Sequence, residues 1–515
     1  MNKELLKWNF IFQYGYVITN IFNALILLPL YLHKIDSATL GLWLATGNIL
    51  AWMTLADPGV GDVLQQKIAL LRGQKNNEEI NKTIGSGIIT SMFILLFSVL
   101  AGILFYFLIG KIINKDVSQY EGLQVALLIS IVATGMSLVS FSLSGINQGL
   151  QNSAQVAISS LSANFVFLFA NVILLYLGYG VISIAFANLC RSFYINIYNI
   201  ISLKKQLKRD LLVISYNIAH LKQFVKIFSF TSFSRIIGGF SASLDMLVLA
   251  RFIAPSMITI FEINKRPISM SQSLVGRHSV ALMPLISHEN GKGNHQGIKK
   301  LIYTQFKYYS FAAIFIGFGF LFNYGNLIIL WTGEGKYAGS LVVNLLIATF
   351  FFTLIGYFMS NMAYALGDIK MNSFIVICKG VVMGVLYYFA GKFYGLIGLL
   401  SVMVGISFTF DFIFFSHRLN KLGYLDWDFV KAMLKKWFVI IAFAGVFGSV
   451  LYYGFSLVIP VNMRIISILL NGFCFTALFV ILILKIDREF KEAIQDRVST
   501  FFSKQQVKKA LSNKS

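Results

Sequence analysis

The sequence predicts an all-α integral membrane protein with about fourteen spanning helices, and three observations lead there. Apolar runs of roughly 20 residues recur along the whole chain, long enough to cross about 30 Å of hydrocarbon as helices. Only 12% of the 515 residues are charged and 57% are apolar, against about 25% charged in a soluble chain, so the polar surface that water requires is missing. The runs also lack the period-two alternation, in segments of roughly ten residues, that a membrane β-barrel needs. With no water in the hydrocarbon, each segment must pair its own backbone groups, and a helix does so.

The expected spans are 10–32, 38–57, 84–109, 122–145, 154–177, 180–203, 225–250, 256–286, 301–330, 337–366, 370–391, 394–417, 433–456 and 463–485. Met1 to Lys7 leads into the first without a small-residue cleavage motif, which reads as an uncleaved first helix. One set of loops holds Lys67, Arg72, Lys75 and Lys82, then Lys204, Lys205, Lys208 and Arg209, and later Lys299, Lys300, Arg418, Lys435 and Lys436. The other set holds Lys34, Lys111, Lys115, Arg251, Lys336, Lys392 and Arg464, so about 30 basic residues oppose about 7. The basic side is cytoplasmic by the positive-inside rule, and an even number of crossings then puts both termini in the cytoplasm. The net charge of +22 is thereby explained by topology and by attraction to anionic lipid, and no nucleic-acid partner is expected.

The segment 205–224 is basic and amphipathic, as expected of a linker on the cytoplasmic membrane surface. It divides an N-terminal six-helix lobe (1–204) from a C-terminal one (225–420); two further spans (421–486) and a basic cytoplasmic tail (487–515) follow. Ile35, Leu40, Leu42 and Trp43 are echoed by Ile253, Ile258, Ile260 and Phe261, each set where a span re-enters the membrane. With six helices per lobe, the repeat would be parallel, about an axis along the membrane normal.

Enzymatic signatures are missing. No Gly-x-x-x-x-Gly-Lys-Ser/Thr loop, His-Glu-x-x-His or paired Cys-x-x-Cys occurs, so neither cofactor nor metal is expected. Cys190, Cys378 and Cys474 each lie inside a span and read as packing residues. The outward loops are too short to build an enzyme site, which leaves transport driven by an ion gradient, or downhill movement.

Ionisable residues inside spans cost about 2.5–3.5 kcal/mol each on insertion scales and are functional candidates by default. Here they are Arg191, Arg235, Asp245, Glu262, Lys265, Arg266, Arg277, Lys379 and Asp411, with Asp57 and Asp62 at the inner end of the second span. Glu262, Arg266, Ser269, Ser273 and Arg277 recur at spacings of four, three, four and four, one polar stripe on a single helix. It extends over roughly 22 Å and must face water or protein. Pro267 beside Arg266 removes one backbone bond, so a kink is expected there. Glu262 and Arg266 also form an i, i+4 pair, but that pairing does not cover Lys265, Arg277, Arg235 or Arg191. For Arg191 and Lys379, near helix ends, snorkelling to the interface and cavity lining both fit. Guanidinium groups recognise phosphate bidentately, so a water-filled cavity lined by arginines suits an anionic, phosphate-bearing substrate.

Leu40-Gly-Leu-Trp43, leading to Ala56-Asp-Pro-Gly-Val-Gly-Asp62 and Lys67-Ile-Ala69, resembles the early signature of bacterial polysaccharide-unit flippases of the O-antigen type. Leu244-Asp-Met-Leu-Val-Leu-Ala-Arg-Phe-Ile253 and Ile260-Phe-Glu-Ile263 resemble the matching region of the second lobe. These flippases belong to the multidrug/oligosaccharidyl-lipid/polysaccharide exporter superfamily. The resemblance implies a two-lobed rocker-switch transporter in the bacterial cytoplasmic (inner) membrane. It would move an undecaprenyl-pyrophosphate-linked oligosaccharide to the outer leaflet, coupled to a proton or sodium gradient, beside the polysaccharide polymerase machinery. Arg235, Lys265, Arg266, Arg277 and Arg191 would bind substrate, and Asp245, Glu262 and Asp57 would couple ions or hold the cations. Two departures keep a lipid II flippase and a multidrug extruder open as alternatives. The first helix has Gln13, Asn20 and Asn23 but no carboxylate, and the last two spans exceed the twelve common in sugar flippases. A non-transport membrane scaffold has no motif behind it.

Overall fold

The structure is a computed structural model. It describes residues 3–55, 60–216, 241, 244–291, 293–460, 463–487 and 489–492. Asp57, Arg235, most of the seventh span, the linker beyond 216 and the tail beyond 492 lie outside the described residues.

Among the described residues all regular structure is helical. The N-terminal bundle comprises α1 (Lys3–Lys34), α2 (Ser37–Leu55), α3 (Val60–Gly73), α4 (Asn77–Ile113), α5 (Leu123–Gly149), α6 (Ser153–Tyr176) and α7 (Gly180–Arg209). The C-terminal bundle comprises α8 (Leu244–Phe252), α9 (Pro255–Gly291), α10 (His295–Thr332), α11 (Ser340–Ala365), α12 (Ile369–Ile406) and α13 (Phe415–Lys421). A π-helical stretch, Ser407–Phe414, joins the last two. Then come α14 (Trp427–Val458) and α15 (Arg464–Ile486). Among the described residues ten helical stretches are long and apolar enough to cross a membrane by themselves, which makes this a multi-pass membrane protein. One of the ten, Lys370–Lys421, turns at Gly395 (φ 60°, ψ −144°), a backbone that glycine alone adopts readily, and so divides into the two spans expected there. α9 falls outside the ten because of its polar stripe; it runs unbroken through Pro267.

Two expectations are corrected. Val60–Gly73 forms a helix where a loop was expected; its Val60, Leu64 and Ile68 are fully buried against Ile84, Leu143 and Ile146. The helix of the sixth span runs on to Arg209, past the end expected at 203, and residues 217–224 of the expected linker lie outside the described residues. The chain then lies extended along α4, where Ser215 N–H donates to Asn81 O (3.3 Å) and Val213 N–H to Asn81 Oδ1 (3.1 Å).

Within the first bundle α5 packs on α3, α4 and α7, and α6 on α1 and α7; within the second, α11 packs on α9, α10 and the π-helical stretch. α14 and α15 pack on α10. Arg464 at the start of α15 reaches Glu334 (3.0 Å), just past the end of α10. At the other end of α15, Asp487 takes Lys436 of α14 (2.7 Å) and Lys307 of α10 (3.4 Å). On that same face Lys299 holds Asp426 (2.7 Å) and pulls its carboxyl below the usual range.

The bundles meet at the face where α1 ends and α2 begins, called the far face below. Thr259 Oγ1 donates to Ser37 O (2.6 Å), and Trp331 Nε1 to Leu25 O (2.9 Å). A Cβ at Gly41 would lie 1.8 Å from the Pro255 carbonyl oxygen, so the backbones of α2 and α9 touch. These are the two segments that echo each other in sequence, and Leu40, Leu42, Ile258 and Phe261 are fully buried in their contact.

The orientation is open to measurement. Reporters fused at Asn2 and after Lys485 should both score as cytoplasmic; an external score for either would overturn the assignment from basic loops.

Candidate functional site

A cavity of about 360 Å³ is lined, among the described residues, by the N-terminal bundle and by one residue of the C-terminal bundle. Its walls come from α1, α2, α5, α6 and α7, and α9 of the second bundle contributes Arg266. Arg191 of α7 lines the same cavity. Each arginine sits eleven residues into its helix, counted from Gly180 and Pro255. At 1.5 Å per residue both lie about 17 Å from the far face, near the middle of a hydrocarbon layer about 30 Å thick. Arg191 thus lies well inside α7, in the wall of the cavity.

The remaining polar lining is neutral. Asn20 and Asn23 come from α1, Ser130, Thr134 and Ser137 from α5, and Asn188 from α7. Tyr31, Trp43 and Phe167 supply aromatic surface, and among the described residues no carboxylate lines the cavity. Several of these groups are held by their neighbours: Asn23 Nδ2 donates to Asn164 O (3.0 Å), Asn171 Nδ2 to Tyr31 Oη (2.5 Å), and Ser137 pairs with Ser192 (2.7 Å). Tyr31 of the first bundle and Arg266 of the second both line this cavity.

The other intramembrane charges are arranged differently from the single cationic cluster expected. Lys265 precedes Arg266 by one residue, about 100° around the helix, and points to α8, where it meets the buried carboxylate of Asp245 (2.5 Å). It does not line the cavity, and Asp245 holds Lys265 rather than an arginine. Glu262 is half-buried one turn before Arg266, with Arg266, Lys265 and Asp245 as its charged neighbours. Arg277, half-buried, lies three turns beyond Arg266 and does not line the cavity. Lys379 is paired: its Nζ donates to both oxygens of Asp411 (2.8 and 2.6 Å) across α12 and the π-helical stretch. Asp57 and Arg235 lie outside the described residues, as does the side chain of Asp62. Among the described residues no group of three His, Cys, Asp or Glu is placed to hold a metal.

Sequence reasoning missed the neutral wall. Its signal was present in α5, where Ser130, Thr134 and Ser137 recur at spacings of four and three, and in α7, where Asn188 precedes Arg191 by three.

No family profile matches the chain, and no curated protein matches it in sequence. Solved structures do. The lipid II flippase MurJ, in an inward closed conformation, superimposes with a TM-score of 0.65 at 17% identity over 91% of this chain and 98% of its own. An inward-facing multidrug resistance MATE transporter of the MOP superfamily gives 0.61 at 15% identity over 78% of this chain and 95% of its own. A MOP superfamily transporter from Pyrococcus furiosus, whose binding pocket is described as reversed in polarity, gives 0.56 at 13% identity over 82% and 96%. The two helical bundles described here, with two arginines lining the cavity, thus share the fold of the MOP superfamily transporters.

Proposed function

We propose that this chain is a flippase that carries pyrophosphate-linked oligosaccharides on a polyprenyl lipid from the cytoplasmic to the outer leaflet of a bacterial membrane. The observation that carries the reading is the composition of the cavity among the described residues: two arginines at one depth, a wall of amides, hydroxyls and aromatic rings, and no carboxylate. Arginine forks fit the oxygens of a pyrophosphate, amides and hydroxyls exchange hydrogen bonds with sugar, and aromatic faces pack on its apolar sides. A cavity built for cationic drugs would need acidic groups instead. Movement follows from alternating access, in which the two bundles rock about the site at mid-membrane. Glu262 and Asp245, beside Arg266 and Lys265, are the groups placed to exchange a proton or sodium ion as the cavity fills and empties.

Lipid II is itself a polyprenyl-pyrophosphate-linked sugar, and one observation favours it as the cargo. The lipid II flippase structure covers 91% of this chain, against 78% for the multidrug transporter. Proteoliposomes separate the readings. Fluorescent polyprenyl-pyrophosphate oligosaccharide, lipid II and a cationic dye are each offered, and movement is read by quenching from outside. Transport of either lipid-linked sugar supports the flippase reading and identifies the cargo; transport of the dye alone overturns it.

A further inference from the structure

The hydrogen bonds between the bundles include an exchange of cations at the far face. α4 ends at Ile113, with Asn114 in the left-handed region (φ 53°) and the N–H groups of Asn114 and Lys115 both directed to Gly110 O. That ending leaves the Lys111 and Ile112 carbonyls without a helical donor, as the last turn of any helix does. Arg251 of the second bundle supplies one: its Nη1 donates to Lys111 O (3.0 Å) and Ile112 O (2.7 Å). α8 ends at Phe252, one residue after Arg251, with its own last carbonyls lacking helical donors, and there the donor comes from the first bundle. Lys115 Nζ donates to Ala250 O and to Ile253 O (2.9 Å). Each bundle thus caps the other's helix with a cation placed at the negative end of that helix's dipole.

We propose that Lys115 and Arg251 form a reciprocal latch that holds the far face shut and must release before the cavity opens there. The argument rests on the alternating-access reading above, though not on the identity of the cargo. Rocking the bundles apart at the far face separates α4 from α8, and it cannot do so while either cation spans the seam. Backbone carbonyls suit such a latch. They stay acceptors at every physiological pH, and water takes their place at little cost when the face opens, so the closure is firm without being permanent. The contact of Gly41 with Pro255 adds shape complementarity beside the latch and contributes no charge.

The test reads geometry and needs no substrate. Spin labels go on Glu121→Cys and Ala254→Cys, exposed positions of the first and second bundle, with Cys190, Cys378 and Cys474 replaced by serine. In proteoliposomes the parent should give predominantly the short distance. Lys115→Met with Arg251→Met should raise the ratio of long to short distances about tenfold, the effect of losing charge-assisted hydrogen bonds on both sides. Lys115→Gln and Arg251→Gln singly should fall between, and they serve if the double variant does not insert. A wedge at Gly41→Leu, which leaves both cations in place, calibrates the open distance. If the wedge opens the far face while the neutralised variants keep the parent distribution, the latch is wrong. A shift with no lipid-linked sugar transported would leave the latch standing and remove only the cargo assignment.

Discussion

Arg266→Glu protein, inserted at the parent's level, is expected to move lipid-linked oligosaccharide at least about 100-fold more slowly than the parent. Losing one partner of a desolvated, hydrogen-bonded charge pair costs about 2–5 kcal/mol, and glutamate adds like-charge repulsion against the pyrophosphate. Arg266→Ala should be less severe, because it removes the attraction without adding repulsion. Arg266→Lys should recover only part of the rate, since an ammonium offers a point charge where the guanidinium offers a fork. The same order, with smaller losses, is expected at Arg191, which lines the same cavity from the other bundle. Lys265 provides the contrast. It lies next to Arg266 in sequence but is committed to Asp245, so Lys265→Ala should reduce the yield of folded protein before it reduces transport per molecule. Transport at the parent's rate by Arg266→Glu would dismiss the cationic cavity.

That contrast also marks what the sequence could and could not reveal. The spans were legible because each is a run of roughly 20 apolar residues, and the bilayer leaves the backbone no alternative to a helix. α3 was not: it is short and polar, and it follows the Asp57-Pro-Gly-Val60 stretch that reads as a turn. The π-helical stretch at Ser407–Phe414 was equally hidden, since a one-residue shift in hydrogen bonding leaves no mark in an apolar run. Charged residues in spans announced themselves by their insertion cost. Their partners did not, because Lys265 and Asp245 stand twenty residues apart in sequence and Lys379 and Asp411 thirty-two apart, and only the packing brings them together. Asn188 and the α5 hydroxyls cost little to insert, so nothing distinguished them until the cavity placed them beside Asn20 and Asn23.

The Lys379–Asp411 pair should behave oppositely to Arg266, with a large loss of stability. The Asp411 side chain is 8% exposed and that of Lys379 22%. The pair is built into close packing: a Cβ at Gly356 of α11 would fall 2.3 Å from Asp411 Cβ, so a glycine there lets the two backbones approach. Thr353 Oγ1 donates to Ser407 Oγ (3.1 Å) one turn away, binding α11 to the π-helical stretch on the same side. Lys379→Met strands the carboxylate in this setting, and removing one partner of a buried pair typically costs about 3–5 kcal/mol. The variant should therefore unfold at markedly lower temperature in detergent. Adding Asp411→Leu should restore most of the loss, because a buried ion pair replaced by apolar groups of similar volume is often neutral or better. The four proteins make a double-mutant cycle, and a coupling of at least about 2 kcal/mol is expected between residues in direct contact. Additive losses would mean that the two charges do not depend on each other. Transport by the double variant then separates structure from mechanism. If the pair only braces α12 against the π-helical stretch, the restored protein flips substrate at the parent's rate, whereas Arg266→Glu stays inactive however stable it is made.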